Sequence, residues 1–148
     1  MIRSIARGLA LALALLFALP AAADVPVHLR VIKGSKKGPA KMDPSLEPLR
    51  RQLSSLAYVR WELADDEQRV LVKGKVESVK LPNGEEVTLA ISDETEAKVT
   101  FEVTVAARKT QSRLTIEKGQ RIVHQVSGEK DGSAFFLTVI AWPDPRLP

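Results

Sequence analysis

The chain has 148 residues with two histidines, His28 and His124, and no cysteine. A zinc site takes three or four Cys, His or carboxylate ligands, often locally paired; here no His-x-His or His-x-x-His spacing occurs. Both histidines fall in strand-patterned stretches, at positions alternating away from the apolar residues, and read as exposed strand residues. The nearest approach to a nucleophilic site is the segment 127–133, where Ser127-Gly128 and Gly132-Ser133 flank Asp131, with His124 just upstream. A hydrolase needs nucleophile and base within hydrogen-bond reach, commonly on a tight Gly-flanked turn. No Gly-x-Ser-x-Gly is present, so a hydrolase centred on His124, Asp131 and Ser133 is the least favoured reading. Carboxylates cluster as Asp65-Asp66-Glu67 and Asp93-Glu94-x-Glu96. They read as solvated turn tips, without the apolar-walled pair of a glycosidase or the glycine-containing spaced loop of an EF-hand. No phosphate-cradling glycine loop or nucleotide fingerprint is present, and nothing points to a cofactor. The best interaction candidate is basic: Lys33, Lys36, Lys37 and Lys41 among Gly34, Gly38 and Pro39. They make a flexible loop over 33–41 suited to an acidic partner or anionic lipid headgroups, at ~1 kcal/mol per charge near an anionic surface.

The elements that must position these residues are mostly strands. Residues 134–142 carry no charge and are apolar on both sides, with Phe136 and Ile140 pointing one way and Phe135, Leu137 and Val139 the other. Such a strand needs cover on both faces and reads as interior. Coming last, it must slot between strands made earlier, which excludes a plain meander. Val27, Leu29 and Val31 alternate in a first strand over 27–32, and Pro26, unable to donate to a ladder, favours an edge or a strand start. Leu46, Leu49, Leu53 and Leu56 form one stripe of a helix over 46–57, with Ser45 as N-cap and Pro48 at the third helical position. After it come strands around 59–63, 70–81 bent at Gly74, 87–91, 97–105, 114–116 and 122–126. Polar turns separate them at 64–67 and 92–96, and Asn83-Gly84 supplies the positive φ of a tight hairpin. About eight strands and one helix predict an antiparallel β-sandwich or partly closed barrel, with the helix over a sheet edge or an open end.

The amino terminus carries a different signal. Arg3 and Arg7, an apolar run over 9–19 and Ala21-Ala22-Ala23 make a charged head, a greasy centre and an Ala-x-Ala cleavage site. The run is too short for the ~20 residues that span a bilayer. The expected division is a signal peptide at 1–23 and one β-rich domain at 24–148. Cleavage leaves 125 residues and removes two of the 22 basic residues, so 20 remain against 18 acids. At +2 the case for nucleic acid is weak. An exported chain with no cysteine must be held by its core alone. These features suggest a bacterial periplasmic protein, with secretion or outer-membrane association as variants. Charge is also segregated: seven basic residues and two acids over 30–51, then eleven acids and five basic residues over 62–102.

The signal peptide, the Val-x-Leu-x-Val strand with its basic loop, the Asp43-Pro44-Ser45-Leu46-Glu47-Pro48-Leu49 segment and the run Tyr58-Val59-Arg60-Trp61 resemble a group of small exported bacterial proteins of unknown function. Leu-Pro-Asn-Gly hairpins and a final apolar strand also occur in that group. Residues 114–142 are more distantly similar to the closing strands of secretin outer-membrane channels, with Val126-Ser127-Gly128 standing where Gly-Gly is expected. Neither resemblance implies site residues. The expectation is a non-enzymatic binding or accessory subunit of the cell envelope with a protein partner; the alternative is a lipid-, glycan- or small-ligand-binding module.

Overall fold

The computed structural model describes residues 24–143; the expected signal peptide lies outside them. Strands β1 (Asp24–Ser35), β2 (Lys41–Met42), β3 (Arg60–Val72), β8 (Arg121–Gln125) and β9 (Ser133–Ala141) form one sheet in the order β2-β3-β1-β9-β8. Strands β4 (Val76–Lys80), β5 (Glu86–Glu94), β6 (Lys98–Val105) and β7 (Thr110–Glu117) form a second as a plain meander. The larger sheet curls as half of a barrel, so the architecture is the expected mainly-β one.

The last strand is interior, between β1 and β8, and antiparallel to both. Its two apolar faces serve two cores. Leu137, Val139 and Ala141 pack with Val25, Val27, Leu29 and Val31 against Val87, Leu89, Val99, Phe101 and Val103 of the second sheet. Ala134 and Phe136 face the other way, joining Ile32, Trp61, Leu46, Leu49 and Leu53 beneath the helical segment. The layers are therefore helix, sheet, sheet, and the helix lies on the outer face of the larger sheet rather than at the expected edge or open end.

Local chemistry explains the other departures. The helix is shorter than 46–57: a 3₁₀ segment, Pro44–Leu49, runs into one α turn, α1 (Arg50–Leu53). Its cap is Asp43, whose carboxylate accepts the Ser45 N–H at 2.9 Å. The Pro48 ring would crowd the carbonyl four residues back in an α-helix, and the α turn starts only beyond it. The turn expected at 64–67 is instead the middle of a 13-residue β3, which absorbs the extra Ala64 as a bulge opposite Val31 and Ile32. β1 begins at Asp24 and is central. Pro26 sits one residue beyond the ladder to β9, which starts at Val27 opposite Ala141, and its carbonyl accepts the Trp142 N–H at 2.8 Å. Its missing donor thus leaves no gap in the sheet. The hairpin at 82–84 joins β4 to β5, with Gly84 at φ +89 and the Asn83 side chain accepting the Glu85 N–H.

Candidate binding face at the loop pole

One end of the sandwich gathers the end of β1, the segment 36–40, β2, the turn at 54–59 and the loop 127–132. Backbone bonds stitch them together: Lys36 N–H to Gly132 O at 2.8 Å, Val59 N–H to Ser35 O at 2.9 Å, Lys41 N–H to Val59 O at 3.1 Å and Asp43 N–H to Trp61 O at 3.0 Å. Beneath them Tyr58, Trp61 and Phe136 meet edge to face with centroids 5.3–5.8 Å apart, the arrangement aromatic quadrupoles favour. Gly34 makes room for this trio: a Cβ there would lie 2.8 Å from Trp61 and 3.0 Å from Tyr58.

The four predicted lysines do not converge. Lys33 lies within β1, opposite Glu62 and Phe135, so the basic loop spans 36–40 rather than 33–41. Lys36 is spoken for: its ammonium is 2.7 Å from Glu129 and 5.5 Å from the centroid of the Tyr58 ring. Tyr58 donates to the same carboxylate at 3.0 Å. The Lys36 bond holds Glu129 below the usual carboxylate range, and Glu129 in turn raises Lys36. Burial, then Glu129, pushes the Tyr58 phenol up. The Lys37 side chain runs along Gly132. Lys41 stands in β2 beside Arg60. Among the described residues Lys37 and Lys41 make no ion pair.

Lys41 and Arg50 rim a hollow of about 280 Å³ walled by Met42, Tyr58, Val59 and Trp61. Arg50 is pre-set there by bonds to both Glu47 oxygens, and those bonds lower the Glu47 pKa. Val59 beside it is 46% exposed. A mixed hollow with Met42 and Val59 in its wall and two cations at its rim can receive a side chain, headgroup or sugar that joins an apolar body to an anionic group.

The other candidates are dispersed. Ser127 is buried, accepting the Phe135 N–H at 2.7 Å and donating to Gly128 O at 3.1 Å. Ser133 bonds Ser35 at 2.9 Å. His124 pairs with Leu137, four residues along β9 from Ser133, about 13 Å at strand rise. Asp131 occupies an exposed left-handed turn. Among the described residues no hydrogen bond joins any two of His124, Asp131 and Ser133. Asp65 and Glu67 alternate with Asp66 on opposite faces of β3.

Neither histidine is an exposed strand residue. His124 faces the inter-sheet core, and burial, then the Arg108 charge, lowers its pKa. His28, with its side chain 14% exposed, bonds the Asp66 carboxylate. Arg30 joins them, 3.5 Å from Asp66, and donates to the Ser45 carbonyl at 3.0 Å, tying sheet to helical segment. Alternation along β1 puts His28 and Arg30 on one face, but their partner stays hidden as long as 64–67 reads as a turn. The charge blocks also interleave: Arg30 meets Asp66, Lys36 meets Glu129 and Arg113 meets Glu102. Compared with family models, curated proteins and solved structures, the chain matches none.

Proposed function

We propose that this chain is an exported, non-enzymatic β-sandwich that serves as a binding or accessory subunit of the bacterial cell envelope and engages a protein partner through its loop pole. The observation that carries the reading is the exposed Val59 beside the hollow over Trp61, with Lys41 at its rim and Lys37 on the neighbouring 36–40 segment, neither in an ion pair within the described fold. Apolar contact ringed by unspent charge is how a small interface combines affinity with steering. Export is supported by the amino-terminal pattern of Arg3, Arg7, the apolar run over 9–19 and Ala21-Ala22-Ala23. The test is a photoreactive residue at Val59 in cells. A discrete adduct with an envelope protein, lost in the Lys37→Glu/Lys41→Glu variant, is expected; no adduct under any growth condition would sink the proposal.

The cation-rimmed hollow also favours a second reading, an anionic lipid or glycan ligand. Trp61 forms its wall, so tryptophan emission should shift on titration with vesicles rich in anionic phospholipid and stay unmoved by neutral ones. A Lys41→Ser variant with an undiminished shift counts against this version.

A further inference from the structure

A sheet edge exposes backbone donors and acceptors that invite another strand, and folded proteins plug most such edges. Three of the four here carry a covering strand or a side-chain bond to the backbone over part of their length. On β3, β2 covers Arg60 and Trp61, and farther along the Asp65 carboxylate takes the Asp66 N–H at 2.9 Å. On β4 the Ser78 carbonyl accepts from Arg69 at 2.6 Å. On β8, only five residues long, the Arg121 carbonyl accepts from Gln52 at 3.2 Å. The fourth edge, β7, is eight residues long without Pro, Gly, Lys or bulge, and among the described residues no side chain bonds its backbone. Lys118 N–H bonds Ala97 O at 2.9 Å, so by antiparallel alternation residues 116, 114, 112 and 110 exchange bonds with β6. Gln111, Arg113, Thr115 and Glu117 therefore turn their peptide groups outward; the bond from Gln120 N–H to Glu117 O at 3.0 Å agrees.

We infer that β7 is the seam of a two-fold dimer, pairing antiparallel with β7 of a second copy so that Thr115 lies opposite itself on the axis. The strand complements itself in this register. Arg113 falls opposite Glu117 of the partner subunit, and Leu114 falls opposite Ile116 of the partner subunit. The existing pairs of β6 with β7 extend the pattern to four strands. Within each copy Glu102 faces Arg113 and Lys98 faces Glu117, so the outer row alternates acid and base from β6 to β6. Thr100 and Thr115, already bonded at 3.0 Å, form the row through the axis. On the inner face Phe101 with Leu114 continues into Ile116 with Val99. Centring on Arg113 would oppose two guanidinium groups, and like charges directly opposite destabilise a sheet. The dimer is independent of the loop pole, which belongs to the other sheet.

With no native thiol, a single introduced cysteine reports the register. With Thr115 on the axis, the two copies of position 115 have Cα atoms ~5.5 Å apart, within disulfide range, whereas the two copies of position 111 are ~27 Å apart. The full mature chain is expected to show twice its monomer mass by light scattering at micromolar concentration. Thr115→Cys should cross-link under mild oxidation while Gln111→Cys does not. Glu117→Arg should weaken the dimer about tenfold, by opposing two arginines twice; should that variant misfold, the cysteine pair decides alone. A monomer at every concentration, equal cross-linking of the two cysteine variants, or a Thr115→Cys chain that cross-links only to a different protein would overturn the inference.

Discussion

At the scale of single residues, the aromatic trio and His124 carry the sharpest consequences. Gly34 is a glycine because Trp61 and Tyr58 occupy the space its Cβ would need, and the indole is wedged between Tyr58 and Phe136. Gly34→Ala should cost about 1–3 kcal/mol by overpacking, read as a lower urea midpoint with unchanged slope. His124 titrates with a lowered pKa in the fold, so on acidification the unfolded chain takes up its proton first. Stability from this group is complete above the ordinary histidine pKa of about 6.5 and is lost as pH falls below it. The lowered carboxylates Asp43, Glu47 and Glu129 act in a separate, more acid window. Stability measured between pH 7 and 5 should fall less in His124→Leu than in the parent; equal slopes would mean that the imidazole is solvated. Neither site is legible in the sequence. Gly34 looks like loop composition because nothing local announces that a residue 27 positions on will lean over it. His124 looks exposed because β8 carries partly buried residues on both faces, Ile122 inward and Val123 beneath the helical segment.

At the scale of elements, what can be read is what periodicity records. β6 alternates Val99, Phe101, Val103 and Val105 inward, as half-buried antiparallel strands do, and β9 is apolar on both sides because a sheet covers one and a helix the other. Boundaries set by a partner cannot be read. The acids at 65–67 look like a turn until His28 bonds Asp66 and Arg30 supplies it with a counter-charge across the ladder. The helical stripe looks three turns long, although Pro48 and the cap at Asp43 confine it to a 3₁₀ segment and one α turn. The same limit governs the candidate site, where four lysines close in sequence are separated by β1, β2 and the pair to Glu129. Phe136 joins the elements under the helix, touching both Tyr58 and Trp61. Phe136→Ala should therefore cost about 3–5 kcal/mol and release the segment 44–53 more than the second sheet. Hydrogen exchange would show this as faster loss around Leu53 than around Val103, and uniform loss would mean that the two cores act as one.

For the whole molecule, the decisive feature is that the centre of the larger sheet comes from the two ends of the described chain. β1 has β3 on one side and β9 on the other, and β9 lines both cores, one through Leu137 and the other through Phe136. The second sheet, a meander of neighbours in sequence, closes only short loops as it forms. The β1–β9 ladder must instead close a loop spanning nearly the entire domain before any contact rewards it, which places folding in the slow, millisecond-to-second range of non-local β proteins. No disulfide relieves that requirement. A chain ending before Ser133 retains eight strands and the helical segment, yet it leaves the inner face of β1 without Leu137 and Val139 and the helical segment without Phe136. It should lack a cooperative thermal transition and bind hydrophobic dyes, whereas the full domain melts in one step. A sharp transition in the truncated chain would mean that the meander and the β1–β3 pair make a sufficient core together, with β9 added to a structure already formed.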